Sequence, residues 1–193
     1  MIVGERGLFA IESEITRAVP NLSQRALGFF VIHVGGQTFG IKQPDASMMG
    51  CSFNEVNERL KRRGTHSTPI LDDVGAGDVA QAYLDAIYRD ARRTDYFGLS
   101  GAKFVEAVYS NFVTWAPDGD EAFNDGSHVL QFDIGRRVRL VAFVNTDSPD
   151  DMVGTISEEW LEAELFYDVL SRWSELFASE WANKLERAGS AVV

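Results

Sequence analysis

The string with the most chemistry in it is Asp72-Asp73-Val74-Gly75-Ala76-Gly77-Asp78. Glycine amides at a helix start can cradle a phosphate, and a carboxylate beside them can take a proton from a substrate hydroxyl. Asp78 stands where a helix is expected to open, so the ingredients of a small phosphotransferase are present. The same residues also make a plain glycine turn with Asp78 as the helix N-cap, a purely structural use. They further spell Gly75-x-Gly77-x-x-Ala80, a dinucleotide-binding spacing. That pattern needs a preceding apolar strand inside a βαβ unit, and Pro69 to Asp73 is a poor strand.

Other constellations carry less. Asp118-x-Asp120 begins like a calcium loop, but Ala122 and Phe123 occupy positions that need a ligand and a glycine. His33, His66 and His128 are scattered without metal-ligand spacing, and His33 lies in an apolar run where a core histidine is expected. Cys51 is the single cysteine, so no intramolecular disulfide can form. A Cys51/His66 nucleophile pair lacks a local signature, and a lone cysteine usually packs as a small hydrophobe. No catalysis, metal or cofactor is expected from these residues.

The glycine turn is similar to the Asp-Thr-x-Gly-Ala-Gly-Asp signature of ribokinase-like sugar kinases, with Asp73 in place of Thr. That resemblance implies Asp78 as the base. It also implies a longer chain with most of its sheet ahead of the turn, and only 71 residues precede Asp72.

The elements that would position these residues follow from periodicity. Phe9 to Ile15 alternates apolar and polar side chains as a half-buried strand does. Leu27 to Val34 is a dense apolar run. Gly35-Gly36 offers a two-residue turn into a returning strand, Gln37 to Ile41, giving a three-stranded meander. Ser52 and Glu55 read as a capping box for a helix closed by Arg59 to Arg63 and Gly64. A second helix is expected from Asp78 to Arg93, with Val79, Tyr83, Leu84, Ile87 and Tyr88 as its stripe. Phe104 to Phe112 recurs at helical spacing, while Asn111 to Trp115 also fits a strand. Val129 to Ile134 and Val138 to Asn145 read as a hairpin closed near Gly135-Arg136, followed by a polar loop from Thr146 to Asp151.

Thr155 and Glu158 predict the cap of a last helix, with Phe166, Leu170, Trp173, Phe177 and Trp181 as its stripe. Leu161, Leu165, Val169 and Leu176 widen that stripe. The fold class is therefore α+β. A single domain over residues 1–193 holds an antiparallel sheet of five to six strands, several packing helices and a long amphipathic C-terminal helix. An apolar fraction of 45% with 13 Phe and 4 Trp supplies a core without disulfides.

Charge narrows the partners. The net is −11, and residues 98–193 carry 17 acidic against 7 basic side chains. Such a field repels nucleic acid and anionic lipid and favours a basic partner. The clusters Arg59 to Arg63 and Arg89 to Arg93 fall at helix C-termini, where cations suit the dipole. Met1 to Arg6 has no basic n-region, so no signal peptide is expected. No apolar stretch is long enough for a membrane span.

Several segments taken in order point further. They are Met1-Ile2-Val3-Gly4, Phe9-Ala10-Ile11-Glu12 running to Glu14-Ile15, Leu27 to Ile32, and Val34-Gly35-Gly36-Gln37-Thr38-Phe39-Gly40. Glu121 to Asp125 and the hairpin Val129-Leu130-Gln131-Phe132-Asp133 to Arg139-Leu140-Val141-Ala142-Phe143 follow much later. Together these resemble immunity protein family forty-two of bacterial polymorphic toxin systems. The resemblance is carried by residues 1–60 and 119–145. It implies a cytoplasmic antitoxin that binds the toxic C-terminal domain of a secreted effector and takes part in competition between bacteria. It brings no motif-borne functional residues. Charge clustering alone selects the expected partner-binding surface: Asp118, Asp120, Glu121, Asp125, Asp147, Asp150 and Asp151, flanked by exposed faces of the last helix. A basic toxin such as a nuclease fits that surface. An acidic regulator or DNA mimic that fills a basic groove fits the same charge, and the phosphotransferase reading of Asp78 remains beside both.

Overall fold

The computed structural model describes residues 1–68, 74–89, 94–115, 121–146 and 148–190. The α+β class holds, and the strands divide between two antiparallel sheets. The first is built from β1 (Ile2–Gly4), β2 (Phe9–Ala18), β3 (Ala26–Val34) and β4 (Gln37–Phe39) in that order, with β5 (Ser47–Met48) also beside β3. The second runs β6 (Ser127–Ile134), β7 (Arg137–Val144), β8 (Ser157–Glu162). The expected meander and hairpin are both present. Gly35 and Gly36 at positive φ turn β3 into β4, and Gly135 at positive φ begins the β6–β7 turn.

The two sheets are fastened to each other. Ser157 Oγ donates to the Val34 carbonyl at 2.7 Å, and the Gly40 amide donates to Ser127 Oγ at 3.1 Å. The helices are α1 (Gly50–Lys61), α2 (Ala76–Tyr88), α3 (Gly101–Ser110), α4 (Pro149–Val153) and α5 (Ala163–Ser190). Strands β6 and β7 are buried on both faces. Val129, Val138, Leu140 and Ala142 join one core with α1, α5 and the first sheet. Leu130, Phe132, Val141 and Phe143 join a second with α2 and α3. Burial on both faces accounts for the unbroken apolar run Leu140 to Val144 in β7.

Phe166, Leu170, Trp173 and Phe177 of α5 are fully buried, at roughly 1.5–3 kcal/mol each. Polar side chains set the register of α5 along β2. Trp173 Nε1 donates to Ser13 Oγ at 2.9 Å, Trp181 Nε1 to the Val19 carbonyl at 3.0 Å, and Lys184 Nζ to the Ile15 carbonyl at 2.7 Å. Leu165 and Leu176, expected to widen the buried stripe, are instead exposed.

Several boundaries differ from the sequence expectation. Residues 157–162 form β8, so α5 begins at Ala163 rather than at a Thr155 cap. Thr155 closes the turn before β8: its Oγ1 accepts from the Val144 amide at 2.9 Å and donates to the Met152 carbonyl at 2.7 Å. Tertiary pairing overrides the helical preference of this glutamate-rich segment. Trp160 faces Arg139 across the ladder, and Arg139 Nε donates to Glu158 at 2.7 Å.

The polar stretch after β7 contains the short helix α4. Helix α1 begins at Gly50, so Ser52 lies buried inside it instead of capping it. Helix α2 begins at Ala76, two residues before Asp78. Its expected end near Arg92 and Arg93 lies outside the described residues. Residues 113–115 run beside β6, with the Gln131 amide donating to Val113 at 2.8 Å and the Trp115 amide to Val129 at 2.9 Å. The alternative strand reading of that segment was therefore sound for its last residues.

Candidate protein-binding surface

The expected acidic surface is partly described. Asp118, Asp120 and Asp147 lie outside the described residues. The other four come from two segments that the β6–β7 pair brings together. Glu121 opens a single 3-10 turn, Glu121–Phe123, just before β6, and Asp150 and Asp151 sit in α4, just after β7. Ser127 pairs with Val144, and the Asn145 amide donates to the Gly126 carbonyl at 2.8 Å. These contacts bring both segments to one end of the hairpin. Glu121, Asp125, Asp150 and Asp151 are all exposed. Asp125 has a local task as well, its Oδ1 accepting from the Ser127 amide at 3.0 Å. The first turn of α5 lies at the other end of the hairpin, where the Ala163 amide donates to Arg136. The eight residues of β7 separate the two places by about 25 Å.

The residues singled out for chemistry are distributed otherwise. Asp78 is exposed in the first turn of α2 and Gly75 is the N-cap, while Asp72 and Asp73 lie outside the described residues. Cys51 is exposed in the first turn of α1. His66 is buried at the other end of that helix, its Nε2 3.4 Å from the Arg59 carbonyl, about 12 Å further along the axis. His66 Nδ1 lies 3.0 Å from the carbonyl oxygens of Asn111 and Phe112, so in the neutral ring this nitrogen carries the proton. Burial, with the Arg59 cation second, holds its pKa below the ordinary 6.5. Among the described residues no group of three or more His, Cys, Asp or Glu is placed to hold a metal ion. No helix among them is long and apolar enough to cross a membrane.

Two buried polar clusters escaped the sequence reading. On neighbouring strands of the first sheet, Thr38 Oγ1 lies 3.0 Å from His33 Nδ1, and His33 Nε2 lies 3.0 Å from Glu12. A neutral His33 ring thus donates through Nε2 to the carboxylate and accepts from the hydroxyl. Glu12 also pairs with Arg6 at 3.0 Å and Lys42 at 2.8 Å. Burial opposes ionisation of Glu12, but hydrogen bonds from Lys42, His33 and Arg6 overcome it and hold its carboxyl at about 2. His33 is the satisfied core histidine that its apolar strand suggested. Glu12 binds both the β1–β2 turn and the chain after β4 to the sheet. The alternation of β2, which placed Glu12 on one face, was the available signal.

The second cluster surrounds Arg59, which has no exposed surface. Its Nη1 donates to the Phe112 carbonyl at 3.0 Å and Gln131 Oε1 at 2.9 Å, and its Nη2 to the Thr114 carbonyl at 2.6 Å. Glu55 supplies the counter-charge at 2.8 Å. Gln131 continues to Tyr167 and Asp133 at 2.9 and 3.1 Å. Burial raises the Tyr167 phenol, and Asp133 adds to the effect. The expectation that Arg59 suits a helix C-terminus described its position and missed this use. Both clusters fix the framework and leave the exposed faces to meet a partner.

Comparison with known proteins bears on what that partner is. The model of the family described as Immunity protein 42 matches residues 1–176. No curated protein matches the sequence. The fold is similar to that of CdiI from Burkholderia dolosa AUO158, with a TM-score of 0.55 at 14% identity, over 89% of this chain and 97% of that one.

Proposed function

Because the chain belongs to the immunity protein 42 family, we propose that it binds the toxic C-terminal domain of a secreted bacterial effector and neutralises it in the cytoplasm. It acts by protein–protein occlusion, without catalysis. The family match over residues 1–176 carries this reading. The acidic excess of residues 98–193 supports a basic toxin, such as a nuclease. Glu121, Asp125, Asp150 and Asp151 at one end of the hairpin, with Asp118, Asp120 and Asp147 near them in sequence, form the steering surface. They raise the encounter rate, while buried apolar anchors hold the complex.

Co-expression with the C-terminal domain encoded immediately upstream tests the proposal. Restored growth and a co-purified complex whose affinity falls with salt are expected. Continued toxicity with soluble protein present overturns it.

A further inference from the structure

Strand β1 forms an edge of the five-stranded sheet, and among the described residues no strand pairs with its outer side. The ladder to β2 fixes which backbone groups face outward. The Ser13 amide donates to the Met1 carbonyl at 2.9 Å, the Met1 amino group donates back to Ser13, and the Glu5 amide donates to Phe9 at 2.9 Å. Antiparallel pairing turns alternate residues toward the neighbour, so the N–H and C=O of Ile2, between Met1 and Val3, point away from β2.

Beside this edge runs a groove of about 270 Å³ between β1 and α5. Phe9, Leu161 and Val169 line it, and its rim is apolar: Leu165 is 51% exposed, Ile2 45% and Leu8 39%. Large apolar side chains clustered at an open strand edge invite aggregation unless a partner covers them. The charges of the rim say what kind of partner. Glu5, Asp168 and Arg172 are the charged residues that line it, all three exposed. Arg172 answers Asp168, which leaves the Glu5 carboxylate to a basic side chain of the partner.

We propose that an extended segment of the cognate toxic domain adds as a strand to the outer edge of β1. Its alternate apolar side chains enter the groove against Leu165, and a Lys or Arg side chain meets Glu5. Main-chain hydrogen bonds then give affinity and the groove gives specificity. The proposal rests on the antitoxin reading, and it places an anchor at the opposite end of the β6–β7 hairpin from the steering carboxylates.

The test uses the full chain and a catalytically inactivated upstream toxin domain. Ile2→Pro deletes the outward amide and leaves the ladder to β2 intact, since edge positions with outward amides tolerate proline. Leu165→Arg puts a cation at the groove. Each is expected to speed dissociation by about tenfold or more, with unchanged circular dichroism. Hydrogen exchange on the wild-type complex keeps the proposal open to refutation should either variant fail to fold: the Ile2 amide is expected to gain protection. Wild-type binding with neither effect overturns this inference and leaves the antitoxin reading standing. No binding by the wild-type chain overturns both. A dimer of the free chain that Ile2→Pro dissociates overturns it too, because the occupant is then a second copy.

Discussion

The guanidinium carbon of Arg59 lies 4.3 Å from the centre of the Trp115 ring, in a site with no exposure at Arg59. The stack explains how the structure tolerates a buried cation. The ring covers one face of the guanidinium, Gln131 and two carbonyls accept from its two Nη groups, and the Glu55 carboxylate lies 2.8 Å from Nη2. Arg59 thereby ties α1 to the chain ahead of β6 and, through Gln131, to β6 itself.

Removing that tie leaves Glu55 beside carbonyls that have lost their donor. Arg59→Met is expected to cost roughly 3 kcal/mol, read by urea denaturation. Arg59→Lys should recover little of the loss, because an ammonium has three donors at one point and cannot reach a carboxylate, an amide and two carbonyls at once. A lysine variant as stable as wild type would show that charge alone matters here.

Acid should destabilise the protein in two windows. Folding lowers the His66 pKa from 6.5, so the unfolded chain takes up a proton first, and stability falls as pH drops below about 6.5. Folding also lowers Glu12 from 4.5 to about 2. Its contribution is complete above pH 4.5 and disappears as pH approaches 2, a loss of roughly 2–3 kcal/mol. Thermal melts from pH 7.5 to 3 should show both windows. His66→Asn, whose amide nitrogen stands in for Nδ1, should flatten the upper one, and Glu12→Gln the lower one. Unaltered slopes in both variants would place the acid sensitivity elsewhere.

Gly28 lies on β3 where the backbone of β2 leaves no room for a side chain. A Cβ there would lie 1.9 Å from the Glu14 carbonyl oxygen and 2.8 Å from Met49 Sδ. The backbone atom cannot yield without breaking the ladder, so Gly28→Ala is expected to cost about 3 kcal/mol or more. Gly7, with nothing within 4 Å of the same added atom, is the control, and Gly7→Ala should stay within about 0.5 kcal/mol. Equal midpoints in denaturant for the two variants would contradict the packing at Gly28.

These residues also show what the sequence could tell. The Gly35-Gly36 turn and the β6–β7 hairpin were legible because turn chemistry and strand period are local signals. The central stripe of α5 was legible for the same reason. Strand β8 was not: Glu158 to Glu162 reads as helix by itself, and only β7, with Arg139 opposite Trp160, draws it into a sheet. The roles of Glu12 and Arg59 depend on partners 21 and 72 residues distant, which no spacing rule connects. Leu165 and Leu176 look like core because helical period does not say how wide a stripe the sheet will cover. The acidic cluster could be read as charge, but its gathering at one end of the hairpin required the pairing of Ser127 with Val144.

That gathering leads to a kinetic expectation. Exposed carboxylates steer a basic partner over distances longer than any contact, so they act on association and barely on dissociation. The combination Glu121→Gln, Asp125→Asn, Asp150→Asn and Asp151→Asn removes four charges while keeping an acceptor for the Ser127 amide that Asp125 now holds. In surface plasmon resonance against the inactivated toxin domain at low salt, the association rate should fall by about tenfold and the dissociation rate by little. The gap between variant and wild type should close near 0.5 M NaCl, where the field reaches only about 4 Å. A slower association that salt does not erase would instead mean these side chains touch the toxin directly. An unchanged rate would mean the partner approaches from another face, leaving the β1 groove to find it without help from this charge.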